Sequence, residues 1–162
     1  MSYGIYINDP NTGETINIDE KHHIIGSTYQ VGGSTELHLN ITYNYSPFFY
    51  RDNTLGKSTK VYGKKPVNGA LPVLQEETGG IYGLQYLTIP EARLKVMQAI
   101  NNLRDEPLDE NGKPYKPVDS FGGVQLHADS YWAPTERNAR NALKNLLSLL
   151  LLAPDNAKIE VC

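Results

Sequence analysis

The sequence predicts an α+β protein, an antiparallel sheet with two long helices packed on one face. Three observations point there. The first third of the chain alternates apolar and polar residues, the period of a half-buried strand. Two later segments carry apolar residues at helical spacing, each opened by a threonine that can cap it. A short alternating run at 157–161 follows the second of these helices and supplies a further strand.

Taken in order, Tyr3, Ile5 and Ile7 alternate with Gly4, Tyr6 and Asn8. "NDPNTGE" (8–14) reads as a turn, with Asp-Pro to start it and Gly13 for positive φ. "TINID" (15–19) alternates again, so 3–18 reads as a hairpin. "HHIIGSTYQ" adds a short strand. A long strand at 35–46 puts Leu37, Leu39, Ile41, Tyr43 and Tyr45 on one parity. Glu36, His38, Asn40, Thr42, Asn44 and Ser46 take the other, and Pro47 stops the strand because it cannot donate to a ladder. "PFFYRD" (47–52) reads as one helical turn that plugs the core. Segment 52–80 reads as a long loop with a short strand or turn near "NGALPVLQEE".

The first long helix is expected at 89–104. Thr88 and Glu91 form a capping box with Pro90 in the first turn, and Ile89, Ala92, Val96, Met97, Ile100 and Leu103 form one face. An acidic loop follows at 105–117, with Asn111-Gly112 at a tight turn. "GVQLHAD" reads as a short strand. The second long helix, at 136–152, has Thr135 as N-cap and a stripe of Ala139, Ala142, Leu143, Leu146 and Leu150. Leu147, Leu149, Leu151 and Leu152 widen that stripe until the last turns are apolar nearly all round. Such an end should be buried or should face a partner, a second copy of the chain included. Pro154 stops it.

The length of 162 residues suits a single domain over 1–162, and a hydrophobic fraction of 40 % beside 20 % charged residues suits a packed core. A net charge of −3 argues against non-specific binding to nucleic acid or to an anionic membrane. One cysteine, Cys162, allows no disulfide framework within the chain. The first residues lack a basic region followed by an apolar run, and "LLSLLLLA" (146–153) is too short to span a membrane. The expectation is a cytoplasmic protein with no membrane contact.

Motifs for catalysis are sparse. Adjacent His22 and His23 point to opposite faces of a strand and should not share a metal. Neither phosphate loop, nucleophile elbow nor dinucleotide fingerprint occurs, so neither metal nor cofactor is expected. His38 with Asn40 and His127 with Asp129 make two H-x-polar units. They are distantly similar to the H-x-[ST] pairs of two-histidine phosphoesterases, with Asn and Asp in the hydroxyl positions. An enzyme acting on nucleotides or phosphoesters, with His38 or His127 as acid or base, is therefore an alternative. Arg137, Arg140 and Lys144 share one flank of the second long helix, near an N-terminus that the macrodipole would rather give to acids. Free amides there, with Arg51 and stacking from Tyr50 or Trp132, would suit a small anion such as a nucleotide. The polar strand end adds Asn40, Thr42 and Asn44, and the helix start adds Asn138. These nine residues are the candidate binding set.

"NITYNYSPFFYR", "GIYGLQYL" and "YWAPTERNARNALKNLLSLLLLAPD" together resemble a family of small bacteriophage and prophage proteins. The positions that carry the resemblance are Asn40, Thr42, Tyr43, Asn44, Tyr45, Tyr82, Gly83, Trp132, Thr135 and Asn138. It covers about half the chain and departs at 52–80 and 105–122, which read as insertions. The resemblance implies phage origin and presence in an infected bacterial cytoplasm. It carries no catalytic residue with it. The function expected is a phage accessory protein that binds a host protein or a small host metabolite without catalysis, with modulation of bacterial defence as one role. A structural, oligomeric phage component is a further alternative.

Overall fold

The computed structural model describes residues 1–24, 32–57, 59–62, 69, 71–72, 74–117, 127–128 and 130–162, with the backbone alone at 59–62 and 74–78. Alternation at the N-terminal segment makes β1 (Ser2–Asn8), which buries Tyr3, Ile5 and Ile7 on one face. It lies between β4 (His38–Thr42) and β7 (Lys158–Val161), antiparallel to both. Two short antiparallel pairs stand apart from this sheet. They are β2 (Asn17–His22) with β3 (Ser34–Glu36), and β5 (Thr59–Tyr62) with β6 (Leu74–Thr78). The helices are α1 (Ser46–Phe49), α2 (Ile89–Asn101) and α3 (Glu136–Leu152). The chain is thus a mixed α/β fold with antiparallel sheets.

The hairpin expected over 3–18 closes only next to its turn, through the bridge Asn8–Thr15 and the bond from Ile16 N to Ile7 O. Beyond it the strands part, because β1 has both edges occupied by distant partners and β2 turns to β3 instead. The long strand of 35–46 is broken at Leu37 and ends at Thr42. There the Thr42 hydroxyl accepts from Asn44 N and caps a 3₁₀ turn over Tyr43–Tyr45. Thr42 is therefore buried, although its parity reads as outward. The turn runs straight into α1, where Pro47 sits harmlessly in the first turn and Phe48 and Phe49 are buried. The helical plug expected at 47–52 is present. Segment 52–80, expected as a long loop with a short strand or turn near 68–77, contributes β5 and β6 among its described residues. The strand expected at "GVQLHAD" lies mostly outside the described residues.

The capping box of α2 is formed in both directions between Thr88 and Glu91, and the bonds from the Thr88 side chain and backbone lower the Glu91 carboxyl below its ordinary value. The helix ends at Asn101 rather than 104, because Asn102 N turns its bond to both Gln98 O and Ala99 O. Leu103 stays buried just beyond. Met97, expected on the core face, is 47 % exposed, and so is most of Leu94. Helix α3 keeps its expected bounds and Thr135 cap. Its stripe is buried together with Leu149, whereas Leu151 and Leu152 face outward.

Helices α2 and α3 pack against each other, and α3 also touches β4. They run antiparallel. Arg93, near the start of α2, donates to Leu150 O at 2.9 Å and Ala153 O at 2.7 Å at the end of α3. Arg104, just past α2, reaches Glu136 at the start of α3. Both helices share one core with the inward residues of β1, β4 and β7.

Candidate functional site

The candidate residues divide between two places. Most meet at a junction where segment 43–51, loop 105–110 and the start of α3 come together. The junction is organised by Glu136, the first residue of α3, whose side chain is 2 % exposed. Its Oε1 accepts from Arg51 Nη1 at 3.0 Å and its Oε2 from Arg104 Nε at 3.0 Å. A carboxylate withdrawn from water in this way needs both cations, since an isolated buried charge is very costly. Arg51 also donates to Glu110 O at 3.1 Å and lies over the Phe48 ring, 5.0 Å from its centroid. Glu136 is absent from the candidate set. An acid in the first helical turn normally sits in water, and nothing local marks this one as buried.

The amides at the start of α3 are not free. Glu136 N donates to Leu108 O at 2.8 Å, Arg137 N to Glu106 O at 3.0 Å, and Asn138 N to Thr135 Oγ1 at 3.2 Å. Loop 105–110 occupies the place that an anion would take. Arg137 holds the same loop through Asp105, to Oδ1 from Nε and to the backbone O from Nη2, each at 3.2 Å. Asn138 Nδ2 donates to Ser130 O and Ala133 O, which fixes the turn before the helix. Asn44 Nδ2 donates to Trp132 O at 2.9 Å, tying the end of the first sheet to the same turn. Trp132 is 43 % exposed, and its ring meets that of Tyr131 edge-on.

Tyr50 belongs to a cluster of phenols next to the junction. Tyr3 Oη and Ser46 Oγ are 2.5 Å apart, Tyr3 and Tyr50 hydroxyls 3.5 Å, and Tyr43 and Tyr82 hydroxyls 3.2 Å. The Tyr50 ring lies so close to Gly80, at φ +53°, that any Cβ there would fall 2.4 Å from it. A further phenol, Tyr45, donates to Tyr131 O. Burial raises the Tyr3 and Tyr45 phenols well above their ordinary value, and pushes Tyr131 up to about 12. A phenol whose folded pKa is raised contributes stability below the unfolded value of 10.0 and loses it as the pH climbs through the folded one. Stability is accordingly expected to hold up to pH 10 and then to fall towards pH 12. The slope should be about 1.4 kcal/mol per pH unit for each phenol that titrates only after unfolding. Phenolate absorbance should show three of the 11 tyrosines ionising together with the loss of structure. A smooth titration of all 11 with the fold intact would contradict this.

The other candidates lie elsewhere. Asn40 and His38 are on the outer face of the sheet, half-buried, with the His38 ring stacked on Tyr6 at 4.3 Å and 5°. His38 Nε2 is 3.3 Å from Asn40 Oδ1. His127 is exposed, and Asp129 lies outside the described residues. Arg140 is half-buried on α3, and among the described residues neither it nor Lys144 has an ion-pair partner.

Three clefts adjoin these elements. One of about 100 Å³ lies beside the junction between Phe48, Glu110 and Tyr115, with room for a few waters rather than for a nucleotide. One of about 300 Å³ separates the start of α2 from 155–159, and one of about 420 Å³ runs along α2 past Lys95 and Gln98. None of the nine candidate residues lines any of the three. Among the described residues no group of His, Cys, Asp and Glu could hold a metal, and no helix is long and apolar enough to cross a membrane. No family model, curated protein or solved structure matches the chain.

Proposed function

We propose that the chain is a non-enzymatic binding protein, a phage accessory protein that holds a host protein in the bacterial cytoplasm. Interference with a bacterial defence system is the consequence such binding would have. The observation that carries this reading is where the polar and apolar side chains are spent. Two of the arginines that a small anion would need at the start of α3, and the amides there, are engaged within the protein: Arg51 with Glu136, Arg137 with Asp105. By contrast Leu94, Met97 and Leu151 stand exposed on the two long helices. The reading takes these helices as lying side by side on one face of the sheet, so that their outer sides are left for a partner. Scattered exposed leucines need no explanation, but several on neighbouring helices favour a protein surface over a metabolite site.

The test is affinity capture from bacterial lysate with the tagged full chain, followed by thermal-shift screening against nucleotides. A partner recovered in stoichiometric amount, with no nucleotide response, is the expected result. An empty capture, or a saturable nucleotide response, would overturn the reading.

A further inference from the structure

We infer that the cleft of about 300 Å³ beside β7 takes one extended peptide segment of a partner, which pairs with β7 as a further antiparallel strand and sets an acidic side chain against Lys158. The inference rests on the binding-protein reading above and adds a point at which the partner is gripped. Strand parity comes first. Gly4 N donates to Cys162 O at 2.8 Å and Cys162 N to Gly4 O at 2.9 Å. In an antiparallel ladder such two-way pairs recur at every second residue. Glu160 therefore turns its amide and carbonyl to Tyr6, and Lys158 to Asn8. Ile159 lies opposite Ile7, whose amide goes the other way, to Leu37 O at 2.9 Å. The amides and carbonyls of Ile159 and Val161 thus point off the edge of the sheet, and no described residue bonds them. Yet the edge is not in open water. Ile159 and Val161 are only 6 % and 7 % exposed, and 85–88 stand across the cleft from 155–159.

Nearly covered backbone groups without a partner are rare, because each costs about as much as a lost hydrogen bond. A donor and an acceptor repeated on alternate residues along an edge are matched by another main chain in extended form. Antiparallel addition continues the sense of β4, β1 and β7 and is the commoner pairing. The residue facing Ile159 then exchanges both bonds with it and lowers its side chain on the same side, towards Leu87 and the cleft. A branched aliphatic residue suits that place. Its successor in the peptide faces Lys158 on the outer side. Lys158 is exposed and has no ion-pair partner among the described residues, so an acid there completes a cross-strand pair. A second copy is the wrong occupant. Its β7 would arrive about a two-fold axis with β1 behind it, and paired strands stand only about 4.8 Å apart. Each copy's 85–88 would then stand where the other's sheet must pass. A single segment, with no strand behind it, fits between the two walls.

The probe is a synthetic peptide of about eight residues, long enough to pass β7, with valine and threonine alternating and one glutamate directly after a central valine. One control carries an N-methyl group on the amide of that valine, which removes the proton that Ile159 O would accept and leaves the side chains unchanged. A second control has lysine in place of the glutamate. Each is titrated into the isotope-labelled full chain. The probe should shift 85–88 and 157–161 saturably and slow hydrogen exchange at the Ile159 amide by at least about tenfold. The N-methyl and lysine peptides should bind at least roughly tenfold and threefold more weakly. Lys158→Glu, a surface change, should reverse the choice between glutamate and lysine. Equal affinity for either control, unchanged exchange at Ile159, saturable shifts elsewhere, or none by about 1 mM would overturn the inference. So would a dimer in sedimentation that the probe dissolves, since a second copy would then own the edge. In affinity capture, a host partner released by the probe and not by the N-methyl control is the expected result. A partner that the probe leaves in place would sink the cleft and spare the binding-protein reading. An empty capture would sink that reading itself, while the titration still decides the cleft.

Discussion

Replacing Arg51 and Arg104 together by methionine is expected to cost about 3–5 kcal/mol of stability, the range for a buried ion left without partners. Replacing Glu136 by glutamine is expected to cost less, about 1–2 kcal/mol. The asymmetry follows from exposure. The Glu136 side chain is 2 % exposed, while Arg51 and Arg104 are 27 % and 54 % exposed. When the carboxylate goes, the guanidiniums can turn to water. When the guanidiniums go, the carboxylate cannot, because it sits at the first residue of a helix whose amides are already bonded to loop 105–110. Arg104→Met by itself should cost about 1 kcal/mol, since a half-exposed cation contributes little more than a surface pair. Urea unfolding followed by far-UV circular dichroism ranks the three variants. A glutamine variant less stable than the double methionine variant would show that Glu136 is not the buried member on which the junction depends.

Phe48→Ala is the second large effect, expected at about 3–5 kcal/mol, against under about 1.5 kcal/mol for Phe48→Leu. Phe48 is fully buried on a helix of four residues, too short to hold itself together without its packing. Its ring also supports the Arg51 guanidinium. Loss of the ring therefore loosens the clamp on Glu136 as well as opening a cavity. Phe48→Ala and Arg51→Met should consequently be non-additive, with a coupling of about 0.5–3 kcal/mol in a double-mutant cycle. Strict additivity would separate the hydrophobic plug from the ion-pair junction.

Which parts of this were readable in the sequence follows from the range of the interactions involved. Both long helices were readable because their signals are local. Thr88 and Thr135 cap within three residues, and the apolar stripes repeat within a turn. The strand expected over 35–46 ends early, at Thr42, and alternation does not show it because Tyr43 and Tyr45 keep the period of two by coincidence. The Thr42 hydroxyl captures Asn44 N and bends the chain into a 3₁₀ turn that buries Tyr45 from another direction. The hairpin over 3–18 is shorter than its turn signal implies, because a local turn signal says nothing of competitors. Here β4 and β7 take the edges of β1. At the junction, charge and position mark Arg51 in the sequence, but its partner lies 85 residues away. No spacing rule connects them. Arg137 stands as a cation against the helix dipole, and Asp105 is the answer to that apparent misfit. The polar parity of the strand divides likewise: His38 and Asn40 keep the outer face, and Thr42 and Asn44 serve as structural bonds.

The placement of β1 has a consequence for the order in which the fold can be assembled as the chain is made. Its partner β4 follows within a few tens of residues and can pair early. The other edge waits for β7, with Asn8 and Glu160 bonded at 2.6 Å across 152 residues. Until then β1 offers a bare row of amides and carbonyls through the synthesis of α2, loop 105–117 and α3, an invitation to pair with another nascent chain. Sealing that edge is a late, long-range event and should be slow. Ribosome-bound chains stopped before residue 158 are the species in which misassembly should concentrate, and a chaperone that covers strand edges would act on them first.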